Sequence, residues 1–256
     1  DNDGSFDPEI IKSYEHVNLI VNPEPLSFSA NANIMVEAAD RYLGDLYFLN
    51  NDVIFSKDWL LPLQDSRPQI LSPLSNREIQ YTLEDLNLHM VMPLQHYLGK
   101  EETFNKVVEI HKTNYQGYLQ VICLPFFAIK IPLEIIKAVG FFDENFGKGG
   151  GEDYDYCLRA YLAGYSVAYA RQSYLLHFGG KSTYSGAETS EEQEARELEF
   201  RAYFTLKWGE ELARLILFEE DSLLDKDPDL HRLIEEGQHA EVVKKLMVNK
   251  DVPVKL

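Results

Sequence analysis

The chain has 256 residues, 45% hydrophobic and 26% charged, which is the make-up of a folded globular protein and excludes disorder as its main state. A formal net charge of −18 repels nucleic-acid backbones and anionic membrane surfaces alike, so a duplex-binding or charge-anchored role is not expected. Two cysteines, Cys123 and Cys157, are too few for a disulfide framework or a Cys-rich metal site.

In chain order, the turn-rich opening Asp1 to Asp7 is followed by an expected short helix over 8–16, with Pro8 at its start, and a short strand over 17–21. Residues 29–42 carry Ala32, Met35, Val36 and Ala39 at helical spacing, with Gly44 as the stop. Leu46 to Leu49 is a continuous apolar run suited to a central strand, and it ends in Asn50-Asn51-Asp52. A strand is expected over 70–74, helices over 84–98 and 102–113, a strand over 121–130 and a helix over 132–139. Four glycines lie between Gly147 and Gly151, before a helix over 152–163 closed by Gly164. Short strands are expected at 167–169 and 174–177. From Ser190 onward the pattern is helical, with an apolar-rich segment at 210–219 and weaker helices over 229–247. Helices alternating with strands predict an α/β fold with a mostly parallel sheet flanked by helices, and a C-terminal helical appendage.

No run of about 18 apolar residues is found for a membrane-spanning helix, and the opening Asp-Asn-Asp-Gly is not a signal peptide. The expected location is the reducing cytoplasm, extending to a peripheral position at the inner membrane face.

Three places hold candidate chemistry. Asn50-Asn51-Asp52 puts a carboxylate at the carboxyl end of a strand, where open α/β sheets bind ligands. A turn that merely ends the strand has the same composition. Gly149-Gly150-Gly151-Glu152-Asp153 puts two carboxylates in a first helical turn, as dipole decoration or as a catalytic base. Three consecutive glycines lose much entropy on folding, and a flexible lid over a site would explain them. His177 follows an apolar strand, and His with Asp suits a divalent ion of the Mn²⁺ type. The Gly-x-Ser-x-Gly elbow, the P-loop and the Gly-x-Gly-x-x-Gly fingerprint do not occur.

Taken in order, these motifs resemble the family 2 glycosyltransferases of the GT-A fold. Asn2-Asp3-Gly4-Ser5-Phe6-Asp7 is similar to that family's nucleotide-binding Asp-Asp-Gly-Ser-x-Asp turn, and Ala30 to Ala39, with Asn33, to its Arg-Asn-x-Gly-x-x-x-Ala helix. Leu49 to Val53 resembles its metal-binding Asp-x-Asp variant. Val139 to Phe146 resembles its Gly-Gly-Phe-Asp-Glu-x-Phe loop, and Gly151 to Arg159 its Glu-Asp-x-Asp-x-x-x-Arg helix. His177 falls at the late metal-binding His, and Lys207-Trp208-Gly209 is similar to a Lys-Trp-Gly of rhamnosyltransferase-like members. The resemblance covers about residues 1–209. It departs in lacking the first strand and helix, in Met35 and Ala32 replacing a Gly and a basic residue, and in a metal motif with the single carboxylate Asp52.

The resemblance implies a GT-A-like domain over 1–189, N-terminally incomplete, and a helical extension over 190–256. It implies an inverting hexosyltransferase in surface polysaccharide synthesis that moves a sugar from a nucleotide diphosphate to a glycan or lipid-linked acceptor. Asp153 would be the base, with Glu152 second. Asp52 and His177 would hold Mn²⁺ or Mg²⁺, and Asn2, Asp3, Ser5, Asn33 and Asn51 would contact the donor. An inactive remnant that binds sugar nucleotide or a protein partner, and a nucleotidyltransferase, are the alternatives. A homodimer through the apolar 210–219 segment is a further expectation.

Overall fold

The computed structural model describes residues 1–2, 4–76, 94–178, 189–220 and 222–256. Its elements in chain order are α1 (Phe28–Tyr42), β1 (Leu46–Leu49), β2 (Val53–Phe55), β3 (Gln69–Ser75), α2 (Leu94–Tyr97), α3 (Glu101–Asn114), β4 (Tyr118–Gln120), β5 (Ala128–Ile131) and α4 (Leu133–Val139). Then come α5 (Glu152–Leu162), β6 (Ser166–His177), α6 (Ser190–Trp208), α7 (Glu210–Ile216), α8 (Ser222–Lys226), α9 (Pro228–Glu235) and α10 (His239–Leu246).

The sheet is mixed, with strand order β1-β5-β3-β6-β2 and β4 beside β6. Helices and sheet are present as expected, but the parallel character is not: only β3 and β6 run parallel, and the other described pairings are antiparallel. The apolar runs do not encode strand direction, so periodicity could not supply this. Central β3 is buried along its whole length. Its Pro73, which cannot donate to a ladder, sits where the register with β6 shifts. Among the described strands β1 lies at an edge of the sheet, not at the centre as its composition suggested. Its residues alternate, with Leu46 and Phe48 buried and Leu49 exposed.

Other expectations change for local reasons. Residues 17–21 form no strand; they are irregular and largely exposed, held where the Asp1 ammonium donates to the Ile20 carbonyl. The 8–16 helix shortens to a single 3-10 turn, Pro8–Ile11, capped by Asp7. The strand over 121–130 splits, because Pro125 interrupts it and 121–127 becomes a buried connector between β4 and β5. The two short strands after Gly164 are one, β6: the polar Arg171-Gln172-Ser173 stretch bulges from the pairing with β3, which resumes with Tyr174 opposite Leu74. Most of the helix expected over 84–98 lies outside the described residues.

One sheet face carries the helical layer and the main core. The other is covered by the segment after β2, with Leu63 packed on Leu71, Ala168 and Ala170. The C-terminal helices share the main core: Phe204, Trp208, Leu212, Leu215, Val242 and Val243 are buried in it. The apolar side of α7 is therefore covered by its own chain.

A buried charge network joins this helical part to the rest. Lys207 Nζ lies 2.6 Å from both Asp143 Oδ2 and Asp155 Oδ1. Arg159 Nε donates to Asp155 at 2.8 Å, Trp208 Nε1 donates to Asp155 at 2.9 Å, and Tyr203 donates to Asp143 at 2.9 Å. Arg159 is fully buried, and its remaining nitrogens donate to the carbonyls of Val139 and Phe141. Burial pushes the Asp143 carboxyl up, but the Lys207 ammonium and the Asn145 N–H outweigh it and hold it at about 2. Asp143 therefore adds stability that is complete above its unfolded value and is lost as pH falls toward 2.

Removing one member leaves unpaired buried charge. Lys207→Met should cost about 3 kcal/mol in urea denaturation at neutral pH. A loss below about 1 kcal/mol would mean that the network does not support the fold.

Candidate active site

β3 and β6 are parallel, and their carboxyl ends open at one edge of the sheet. His177 ends β6 and Asn76 follows β3; the Asn76 side chain accepts from the His177 backbone N–H at 2.8 Å. Antiparallel pairing puts Val53 opposite His177, which brings the preceding Asp52 alongside. Asp52 Oδ1 lies 3.1 Å from His177 Nε2, and the Asp52 carbonyl accepts from the Phe178 N–H. The imidazole stacks on Phe127, with centroids 5.0 Å apart and planes 14° apart. Asp52 and His177, 125 residues apart in sequence, are thus brought together with their side chains largely buried.

The second cluster is the first turn of α5. Asp153 accepts from the Tyr154 N–H at 2.8 Å and from the Phe126 N–H at 3.4 Å. Glu152 accepts from the Gly150 N–H. The connector 121–127 links the clusters: Phe126 touches Asp153, while Phe127 stacks on His177 and accepts from the Asn50 N–H at 2.7 Å. Two consecutive residues therefore separate the carboxylate pair from the Asp–His pair.

The glycine loop is not the free lid that its composition suggested. Gly150 has φ +129°, and a Cβ there would come within 2.4 Å of the Phe200 ring of α6. Arg196 donates to the Gly149 carbonyl at 3.2 Å. Glycine is needed here for backbone conformation and for close approach to α6.

The electrostatics of Asp153 also depart from expectation. The helix dipole favours an ionised carboxylate at this position, but burial first and the neighbouring Glu152 second push its carboxyl up to about 8. The carboxyl is packed about by protein, although the residue as a whole still meets solvent. A dipole contribution of about 0.3–1 kcal/mol is too small to offset a shift of that size. Glu152 is raised too, chiefly by burial, with the Gly150 N–H and Arg196 acting against it.

The remaining candidates sit apart from these pairs or are engaged structurally. Asn51 is exposed in the turn between β1 and β2. The Asn33 side chain bonds both the N–H and the carbonyl of Phe142, at 2.7 and 3.1 Å, and so fixes α1 to the loop that carries Asp143. Asn2 joins Asn22, Asn31 and the backbone of Leu26 in an amide cluster. Ser5 is exposed, and Asp3 lies outside the described residues. Sequence reasoning missed Asn76, Phe126 and Phe127. The clue was the apolar run 121–129, too long for one strand and broken by Pro125.

Asp52 and His177 offer one carboxylate oxygen and one imidazole nitrogen at a single point, a donor set that fits a borderline divalent ion such as Mn²⁺. No group of three or more His, Cys, Asp or Glu converges among the described residues, so phosphate oxygens and water would complete the coordination.

No family model matches the chain, and no curated protein sequence matches it. Among solved structures, the chain is similar to GalNAc-T7, crystallised with UDP, GalNAc and Mn²⁺, with 14% identity and a TM-score of 0.47. The alignment covers 77% of this chain and 46% of that one, less than half of the neighbour's length.

The raised Asp153 sets a pH dependence of stability. A carboxyl whose folded value is raised stabilises the fold fully below its unfolded value, near 4, and that contribution is lost as pH rises through about 8. Asp153→Asn should remove this decline, so its unfolding midpoint should gain on that of the parent from pH 5 to 9. Parallel curves would show that Asp153 ionises normally.

Proposed function

We propose that the chain is a metal-dependent, inverting glycosyltransferase that moves a sugar from a nucleotide diphosphate to an acceptor hydroxyl. The observation that supports this reading is that the consecutive residues Phe126 and Phe127 link a buried carboxylate of high proton affinity to an Asp–His pair at the carboxyl end of parallel strands. Family 2 membership, a rhamnosyltransferase-like specificity and a role in surface polysaccharide synthesis rest on the sequence motifs. So does the division into a catalytic part, 1–189, and a helical extension.

Asp153 takes the proton of the acceptor hydroxyl as its oxygen bonds to the anomeric carbon and the bond from that carbon to the diphosphate breaks. Attack opposite the leaving group inverts the centre. A base with a proton affinity near the working pH transfers protons efficiently, which suits a value of about 8. Asp52 and His177 would hold a divalent ion, which when bound supplies Lewis-acid stabilisation of the leaving diphosphate. An anionic donor also needs such a cation to approach a chain of net charge −18. Glu152 braces the glycine loop through Gly150 and raises the basicity of Asp153. Asn33 acts on the donor side by holding the Phe142 loop, and Asn51, Ser5, Asp3 and Asn2 lie on segments proposed to border the nucleotide.

Thermal unfolding against UDP, GDP and dTDP, with and without Mn²⁺, tests the donor site. One nucleotide should stabilise the chain only with Mn²⁺, by roughly 2.7 kcal/mol at a hundredfold excess over its Kd. Asp52→Asn should abolish the shift, whereas Asp153→Asn should keep it and lose transfer. A shift from no nucleotide would leave the reading of an inactive remnant. Pyrophosphate as product would identify a nucleotidyltransferase.

The pH profile of kcat/KM supplies a second test. Activity should climb with pH toward about 8, and Glu152→Gln, by removing the neighbouring charge, should move that limb to lower pH. An unmoved limb would remove Glu152 from the role of tuning the base.

A further inference from the structure

The sheet face that carries His177 continues away from the proposed chemistry in an aromatic strip. In the antiparallel β2/β6 ladder Val53 lies opposite His177 and Phe55 opposite Leu175, so Val53, Phe55 and His177 share one face. Val53 and Trp59 both pack against the buried cluster of Phe127, Ala128 and Leu175, whose Phe127 is stacked on His177. Trp59 in turn stacks on Phe55, with centroids 4.8 Å apart and planes 23° apart. Phe55 stands 45% exposed at the outer end of the strip.

The strip is held in place by its backbone. Asp58 takes a left-handed conformation, φ +56°, uncommon for a residue with a side chain, and so turns Trp59 back over β2. The buried Ser173 hydroxyl donates to the Trp59 carbonyl at 2.6 Å. Two residues beyond Phe55, Lys57 forms one wall of an open groove of about 730 Å³, whose α3 wall carries Glu102, Asn105, Lys106 and Glu109. The groove surface is mostly apolar and includes Ile110, with the amide, ammonium and carboxylate ends of its other side chains as the polar part. An exposed aromatic ring near such a surface suits a saccharide, whose apolar C–H faces lie on the ring and whose hydroxyls meet the few polar groups.

We propose that the Phe55–Trp59 platform and the adjoining groove form an acceptor subsite for a neutral oligosaccharide. The inference deepens the glycosyltransferase reading and rests on it for the word acceptor. Three residues of strand separate Asp52 from Phe55, about 10 Å, so a sugar chain whose reacting end lies by the proposed Asp52–His177 ion would reach the platform with units behind the reacting one. The net charge of −18 selects against polyanionic glycans. The subsite therefore takes an oligosaccharide and neglects a monosaccharide.

Trp59 gives a direct readout, because the chain's only other tryptophan, Trp208, is fully buried. The test titrates tryptophan fluorescence with maltotetraose, cellotetraose, mannotetraose and xylotetraose, and with the matching monosaccharides, in the absence of nucleotide and metal. At least one tetrasaccharide should give a saturable change, and its monosaccharide none at equal concentration. Phe55→Ala should weaken binding about tenfold, the scale of one aromatic contact, while Phe55→Tyr retains it. Both variants alter an exposed ring and should keep the parent unfolding midpoint. Absence of any response across the panel, or equal affinity in Phe55→Ala, would overturn the inference. Metal-dependent nucleotide binding without oligosaccharide binding would sink the subsite and leave the transferase reading intact. Oligosaccharide binding without nucleotide binding would do the reverse.

Discussion

Lys207 between Asp143 and Asp155 is the constraint on which the rest of the architecture hangs. It joins three elements: the loop after α4, the first turn of α5 and the last turn of α6. With Arg159 the network comprises two acids and two bases, all buried, and Trp208 and Tyr203 satisfy further carboxylate oxygens. Burying these charges is costly, so the arrangement contributes less to net stability than to register. It fixes how α6 crosses α5, and that crossing brings Phe200 and Arg196 onto the glycine loop at the head of α5. The orientation of Glu152 and Asp153 is thereby set from some 50 residues away in sequence.

The same helix thus serves two electrostatic environments. Asp155 is compensated by Lys207 and Arg159. Two residues earlier in the same first turn, Asp153 is buried beside a second acid and holds its proton to about 8. Stability is spent at one acid of this turn and secured at the next. Such a division would suit the base proposed above, which must take up a proton near neutral pH.

Much of this was legible in the sequence, and the gaps have physical causes. The α1, α4 and α5 helices, β1, and the Asp52, Asp153 and His177 positions follow from local periodicity and motif order. That Asp52 and His177 meet depends on an antiparallel ladder that no local pattern encodes. The mixed sheet escaped because apolar runs do not specify strand direction. Burial of Asp153 escaped because helix-start rules count the dipole but not the surroundings. The glycines read as a lid because sequence shows their freedom and not Phe200 above them. Lys207-Trp208 was visible as a motif, but its role became plain only when its partners appeared.

The central claim is that Asp52 and His177 hold a divalent ion beside Asp153, across Phe126 and Phe127. Its most direct test is anomalous scattering at the manganese edge from a crystal grown with Mn²⁺ and the nucleoside diphosphate that stabilises the chain. The account predicts one strong peak within bonding distance of the Asp52 carboxylate and His177 Nε2, contacting the diphosphate and facing the first turn of α5. A peak bound to other side chains, with Asp52 and His177 still bonded to each other, would contradict it.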